Sequence, residues 1–278
     1  MSHARFLHIG PEEGPHADFR DLWFSASENE GSTAWEVVDV FSPPRDIQSR
    51  VDWLLRKYRP RVLITHWEGA ERLLPWVTYR RNVRLVCHRY RVAVLPLRLS
   101  QRMLYSMVKA FVVPAGGLEE FVRAAGVQES RITSFPLCPV GIEGGEVDGV
   151  VLGVLPASQK KVAGVLRHLE KHQPHIPVLQ GTAEELLSKA SILLDLGEGI
   201  EVRREYMDAV QQGKVVLVPD TELFRSLYGD RVTYYKPPHL FALLRDLFQD
   251  MPKAEESDCA TVLSAVQSIG SAYRKAAA

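Results

Sequence analysis

The sequence predicts an α/β fold made of two Rossmann-like domains facing a cleft. Three observations carry the prediction. Short apolar, β-branched runs alternate with helical patterns along almost the whole chain, the signature of parallel strands joined by crossover helices. The segment 186–247 reads strand, helix, strand, helix, strand, helix without a break, which is half of a doubly wound sheet. A chain of 278 residues suffices for two such domains of roughly 140 residues each.

The elements follow in order. In the first half, strands are expected at 5–10, 35–41, 61–66, 83–87, 110–114 and 132–135. Between them, helices are expected at 46–58, 68–77, 96–108 and 117–125. The first of these is the clearest, with Ile47, Val51, Leu54, Leu55 and Tyr58 on one face. The stretch PLCPVGIEGGEVDG (136–149) holds two prolines and four glycines and sustains no period, so a domain boundary is placed at 140, giving domains 1–140 and 141–278. The pattern restarts with a strand at 150–155, a helix at 159–172 and a strand at 176–179. Strands at 191–196, 214–218 and 231–236 then alternate with helices at 202–213, 221–230 and 239–248. A closing helix at 257–275, capped by Ser257 or Asp258, ends the second domain; whether it crosses back to the first is left open.

Composition narrows the function classes. No apolar run approaches the ~20 residues of a membrane span, and MSHARFLHIG lacks the charged and apolar regions of a signal peptide. Cys87, Cys138 and Cys259 lie far apart without metal spacing and read as reduced thiols of a cytoplasmic protein. The net charge is zero, yet no acidic residue stands between Glu71 and Glu119, a stretch carrying Arg72, Arg80, Arg81, Arg84, Arg89, Arg91, Arg98, Arg102 and Lys109. Such a one-sided block fits an anionic partner, either an acceptor or the inner face of a membrane, or else a solvated surface paired with acids elsewhere. With neutral overall charge and no binding motif, nucleic acid is not expected.

Three passages resemble glycosyltransferases of the GT-B fold, of the family 4 and spore-maturation types. They are AFVVPAGGLEEFVRAAGVQESRITSFP (110–136), IPVLQGTAEELLSKASILLDL (176–196) and EYMDAVQQGKVVLVPD (205–220). The resemblance covers 110–250 and is only topological over 1–109. It implies an acceptor-binding first domain, a nucleotide-sugar-binding second domain, and sugar transfer with retained configuration and without a metal. The nucleotide sugar would be a co-substrate, with no cofactor, and homo- or hetero-oligomers are left open. Against the family's pattern the second domain is trimmed by about one strand–helix unit, between His172 and Ile176.

The resemblance also distributes roles. Asp208 stands where the family's second glutamate grips the ribose hydroxyls, while Ile200 occupies the place of the first, leaving Glu198 or Glu201 as substitutes. Lys160 or Lys161, with Arg203 or Arg204, would neutralise the diphosphate. Gly10 and Gly14, in the loop after the first strand, would lie against the donor. His88 resembles the family's active-site histidine, and His66, Arg89 and Arg91 fall on the acceptor side. The missing glutamate and the apolar residue at the family's arginine position leave a non-catalytic relative as the alternative, and a nucleotide-sugar epimerase as a third reading.

Other candidates stand apart from the resemblance. His168, His172 and His175 are expected as exposed helix-end residues rather than metal ligands. Trp67 and Trp76 read as core or as an acceptor platform. The run PLRLSQRMLYSMV (96–108) reads as an amphipathic basic helix, suited to an anionic surface or buried with two snorkelling arginines.

Overall fold

The computed structural model describes residues 5–12, 19–28, 32–67, 70–73, 77, 82–90, 99–139, 141–145, 147–199, 202–250 and 261–278. The chain forms two compact units, one of residues 1–136 with 261–278 and the other of residues 137–260.

In the first unit, six strands form one parallel sheet: β1 (Phe6–Gly10), β2 (Thr33–Val37), β3 (Val62–Thr65), β4 (Arg84–His88), β5 (Ala110–Pro114) and β6 (Ile132–Phe135). Their order is β2-β1-β3-β4-β5-β6. Strands β1, β3 and β5 are buried at every position, as a parallel sheet covered on both faces requires. Helix α1 (Arg20–Glu28) was not expected; its sequence RDLWFSASE is short and serine-containing. Packing makes it helical, through buried Leu22, Trp23 and Ala26.

Helix α2 (Pro44–Tyr58) opens with proline in its first turn, buries Val51, Leu54 and Leu55, and ends at Arg59 in the left-handed region with φ 47°. The strand expected at 35–41 is instead Thr33–Val37. Asp39 ends it by accepting hydrogen bonds from the Phe41 amide at 3.0 Å and the Ser42 hydroxyl at 2.8 Å. Within the helix expected at 68–77, Ala70–Leu73 form a short 3-10 turn. Helix α3 (Leu99–Met107) and helix α4 (Leu118–Ala124) complete the crossovers.

The second unit has five parallel strands: β7 (Leu152–Val154), β8 (Val178–Gln180), β9 (Ile192–Leu194), β10 (Val215–Pro219) and β11 (Thr233–Tyr235). Their order is β11-β10-β9-β7-β8. The connecting helices are α5 (Gln159–His172), α6 (Ala183–Leu187), α7 (Glu205–Gln211), α8 (Glu222–Tyr228) and α9 (Leu240–Gln249). Thr182 and Glu185 form a reciprocal capping box at α6, and Thr221 caps α8 by accepting from the Phe224 amide at 3.2 Å. Helix α7 begins at Glu205, three residues later than expected. Leu152, Leu194, Leu217, Leu244 and Leu169 meet in one apolar core.

The last helix, α10 (Val262–Ala277), corrects the expected domain division. It packs on α1 and across β3 to β6, so it belongs to the first unit. The Arg84 guanidinium donates to the Ala276 carbonyl at 3.0 Å, and Lys275 donates to the carbonyl of Ser130. Its cap is Thr261, which accepts from the Ser264 amide at 3.3 Å; Ser257 and Asp258 lie outside the described residues.

Gly153 in β7 shows how tightly the second unit is closed. A Cβ there would lie 2.8 Å from that of Ala190 and 3.2 Å from Leu186 Cδ1. Gly153→Ala is therefore expected to cost about 1–3 kcal/mol of stability, read as a lowered midpoint in chemical denaturation.

Candidate functional site

Parallel sheets present chemistry at the carboxyl ends of their strands. In the first unit that edge is built around three histidines with no exposed surface: His8 in β1, His66 just after β3, and His88 at the end of β4. Their hydrogen bonds have a direction. Ser27 donates its hydroxyl proton to the Trp23 carbonyl at 2.8 Å, so it accepts from His8 Nε2 at 2.6 Å. That leaves His8 Nδ1 to accept from His66 Nε2 at 2.9 Å. Trp23 Nε1 donates to the Tyr90 hydroxyl at 2.7 Å, which can pass its own proton to His88 Nδ1 at 2.9 Å. His88 Nε2 then meets the Tyr273 hydroxyl of α10 at 2.9 Å. Trp23 and Trp35 stack on His66, with ring centroids 3.8 and 4.9 Å away.

This network corrects the role expected for His88. Both ring nitrogens are engaged and the ring is fully enclosed, so its contact is with α10 rather than with a sugar. His66 is likewise a core residue. Arg89 is buried in an ion pair with Glu71, donates to the Trp67 carbonyl at 3.2 Å, and lies over the rings of Tyr105 and Phe111, so it offers no charge to an acceptor. Gly10 is a packing glycine: a Cβ would sit 3.0 Å from that of His66. Trp67 is buried in the core. Gly14, Arg91 and Trp76 lie outside the described residues.

In the second unit, the helix expected to hold the donor is turned to another task. Arg204, Asp208 and Gln212 recur every four residues on one face, and all three hold the segment that enters the unit. Arg204, only 4% exposed, donates through Nε to the Cys138 carbonyl at 2.8 Å and also to the carbonyl of Pro139. Asp208, 2% exposed, accepts the amides of Gly141 at 2.7 Å and Ile142 at 2.9 Å through Oδ1. Gln212 donates to the Ile142 carbonyl at 2.7 Å. Lys214 adds bonds to the carbonyls of Ala190 at 3.0 Å and Gly145 at 3.2 Å, and burial lowers its pKa. The expectation that Asp208 grips a ribose and Arg204 a diphosphate is thereby replaced by a backbone clamp.

What remains lies at the carboxyl ends of β7 and β9. The order β11-β10-β9-β7-β8 reverses direction between β7 and β9, which makes their carboxyl ends the switch point of the sheet. After β7, the chain enters α5 at Ser158, whose side chain makes no capping hydrogen bond; Ser158, Gln159, Lys160 and Lys161 are exposed. After β9, buried Asp195 accepts from the Tyr206 hydroxyl at 2.5 Å and the Gly197 amide at 2.7 Å, while its carbonyl accepts from the Tyr235 hydroxyl at 2.7 Å. Burial and the nearby Asp195 charge push the Tyr206 hydroxyl pKa well up, so it remains a donor.

Lys161 spans the two strand ends, its Nζ 3.0 Å from the Leu196 carbonyl and 3.4 Å from that of Gly197. Glu198 is exposed on the same loop, and Gly199, with φ +67°, is held by the Thr221 hydroxyl at 3.0 Å. Arg203 is a quarter exposed, 3.8 Å from the Glu205 carboxylate, with its backbone amide on the Tyr228 hydroxyl at 2.9 Å. Glu201 and Ile200 lie outside the described residues. Asp195 was missed by sequence reasoning; a single acid ending an apolar strand was its only signal.

Two grooves lie elsewhere in this unit. One of about 520 Å³ is lined by Gly144, Asp148, Ser191, Gln212 and Lys214 at the amino ends of the strands. The other, of about 310 Å³, lies between α5 and α9, where His168 stacks on Phe241 with centroids 3.6 Å apart. Among the described residues, no group of three or more His, Cys, Asp or Glu could hold a metal.

No protein-family model and no curated protein matches this sequence. Solved structures do. Anabaena HepE in complex with UDP-glucose superposes with a TM-score of 0.65 at 12% identity, covering 97% of this chain and 95% of that one. UDP-GlcNAc 2-epimerase from Neisseria meningitidis, bound to UDP-GlcNAc, gives 0.61 at 10% identity and 97% coverage of both chains. Sucrose-phosphate synthase from Thermosynechococcus elongatus gives 0.62 at 10% identity, covering 99% and 94%. These neighbours are of the GT-B type, and the chain shares their α/β fold with two Rossmann-like domains.

Two outcomes are expected. Burial holds the His8 pKa down to about 3, against about 6.5 when unfolded. Between those values only the unfolded chain takes the proton, so stability should fall as pH drops from 6.5, by about 1.4 kcal/mol per unit, and should be fully present above 6.5. Denaturation at pH 7, 6 and 5 should show that slope, and His8→Gln should lack its share. Asp208→Ala, which leaves two amides without their acceptor, should cost about 2–4 kcal/mol of stability, read as a lowered midpoint in chemical denaturation.

Proposed function

We propose that the second unit binds the nucleoside diphosphate of a nucleotide sugar at the carboxyl ends of β7 and β9, and that the chain is a glycosyltransferase using it as donor. The observation that carries this is the switch point itself, where the open amino terminus of α5 and Lys160 and Lys161 meet the loop held by Asp195. A helix amino terminus without a side-chain cap, beside two exposed lysines, suits a diphosphate. The complexes of Anabaena HepE with UDP-glucose and of the Neisseria epimerase with UDP-GlcNAc, on the same fold, support a uridine nucleotide.

Within this reading, Lys160 and Lys161 stabilise the charge that develops on the leaving diphosphate, the dominant catalytic term when no protein nucleophile is used. Glu198 accepts the ribose hydroxyls in place of Asp208, and Arg203 adds a second cation. Transfer proceeds with retention and without a metal, as the family resemblance implies.

A second reading is a nucleotide-sugar-binding protein without turnover. The enclosure of His88 and the commitment of Arg204 and Asp208 to the backbone clamp favour it.

One experiment addresses both. UDP or a UDP-sugar at about 100 times its Kd should raise stability by ~2.7 kcal/mol, and other nucleotides less. Lys160→Ala with Lys161→Ala should weaken binding at least about tenfold. Slow release of UDP from the bound sugar nucleotide supports the transferase, and binding without release supports the second reading. No midpoint shift with any nucleotide at millimolar concentration rejects both.

A further inference from the structure

Soluble domains rarely leave several large apolar side chains exposed on one helix face. Helix α3 does. Leu99, Met103 and Met107 follow at four-residue spacing and are 76%, 60% and 38% exposed, while Tyr105 and Val108 turn into the core. The helix holds no acidic residue, and its exposed Arg102 stands beside Met103. Exposed Lys109 follows its last turn, and Arg131 donates to the Ser106 carbonyl at its carboxyl end.

The charge pattern of the surrounding chain is one-sided. No aspartate or glutamate occurs between Glu71 and Glu119. One cation of that block, Arg89, is committed to Glu71 in the core; Arg102 and Lys109 keep their exposure. Among the described residues no helix is long and apolar enough to cross a membrane, and α3 makes only nine residues.

We propose that α3 docks the first unit flat on a lipid bilayer carrying anionic headgroups. Leucine and methionine side chains enter the boundary of the acyl region, while Arg102, Lys109 and Arg131 sit level with the phosphates. Apolar side chains flanked by cations, on a helix with no carboxylate of its own, match that layering of a bilayer. The inference is independent of the nucleotide site, which lies in the other unit.

The test is co-sedimentation of the full chain with vesicles of phosphatidylcholine alone and of phosphatidylcholine with phosphatidylglycerol. The protein should partition onto the anionic vesicles and much less onto the neutral ones, with binding that weakens as salt is added. Leu99→Gln with Met103→Gln should lower the partition coefficient on the order of tenfold. Arg102→Gln with Lys109→Gln should lower it about fivefold per charge at low salt. Both variants change exposed positions, so their midpoints should stay within about 2 °C of the parent.

A Met103→Cys protein carrying an environment-sensitive fluorophore provides a second readout, expected to shift to the blue on anionic vesicles only. Failure to bind anionic vesicles, equal binding to both kinds, or no loss in the apolar variant would overturn the proposal. So would self-association in solution that the Leu99→Gln, Met103→Gln protein loses, since a second copy would then be the occupant.

Discussion

Buried polar side chains must find their partners inside the protein, and both units are organised by that requirement. A polar group left without a partner costs about 1–3 kcal/mol, comparable to a whole buried methyl group or more, so each such group dictates the placement of a neighbour. In the first unit His88 requires hydrogen-bond partners for both ring nitrogens, and the second of them is Tyr273. That bond reaches across 185 residues of sequence and helps bring the last helix back to the first sheet. In the second unit Asp208 and Arg204 satisfy the backbone of the entering segment, a stretch too rich in glycine and proline to satisfy itself by secondary structure.

The same requirement separates structural from functional candidates. Strand ends are the usual address of a ligand, but a group there can serve a ligand only if the fold leaves it accessible. By that criterion the histidines of the first unit are consumed, as is the helix face of Arg204 and Asp208. The loop after β9 is different. Asp195 is itself fully used, yet what it holds in place is a turn whose glutamate is exposed and whose carbonyls Lys161 reaches from the neighbouring helix. The fold spends a buried carboxylate on shaping this edge and leaves cations beside it.

Much of the architecture was legible in the sequence because it rests on local period and punctuation. The alternation of apolar strands and amphipathic helices located the neighbourhoods of the eleven described strands and the helices α2, α3, α4, α5, α8 and α9 from residues close together in the chain. Helix α1 was not legible, since RDLWFSASE has a weak local preference and becomes helical by burying Trp23 against distant aromatic residues. The candidate residues divide in the same way. Lys160 and Lys161 were singled out through the family resemblance, and the structure leaves both exposed at the start of α5, the strand-to-helix junction that local pattern also places. The roles of His88, Arg89 and Asp208 were misassigned because their partners, Tyr273, Glu71 and Gly141, are set by the fold.

The sequence by itself therefore determined the fold class, the approximate succession of strands and helices, and the one-sided charge of the stretch after Glu71. Each of these depends on spacing along the chain. Only the tertiary structure decided which unit the last helix joins, which polar residues are spent on the interior, and which edge retains exposed cations. The physical reason is that a side chain's availability depends on who its neighbours are in space. Hydrogen-bond partners 66 and 185 residues apart leave no periodicity in the sequence to reveal them.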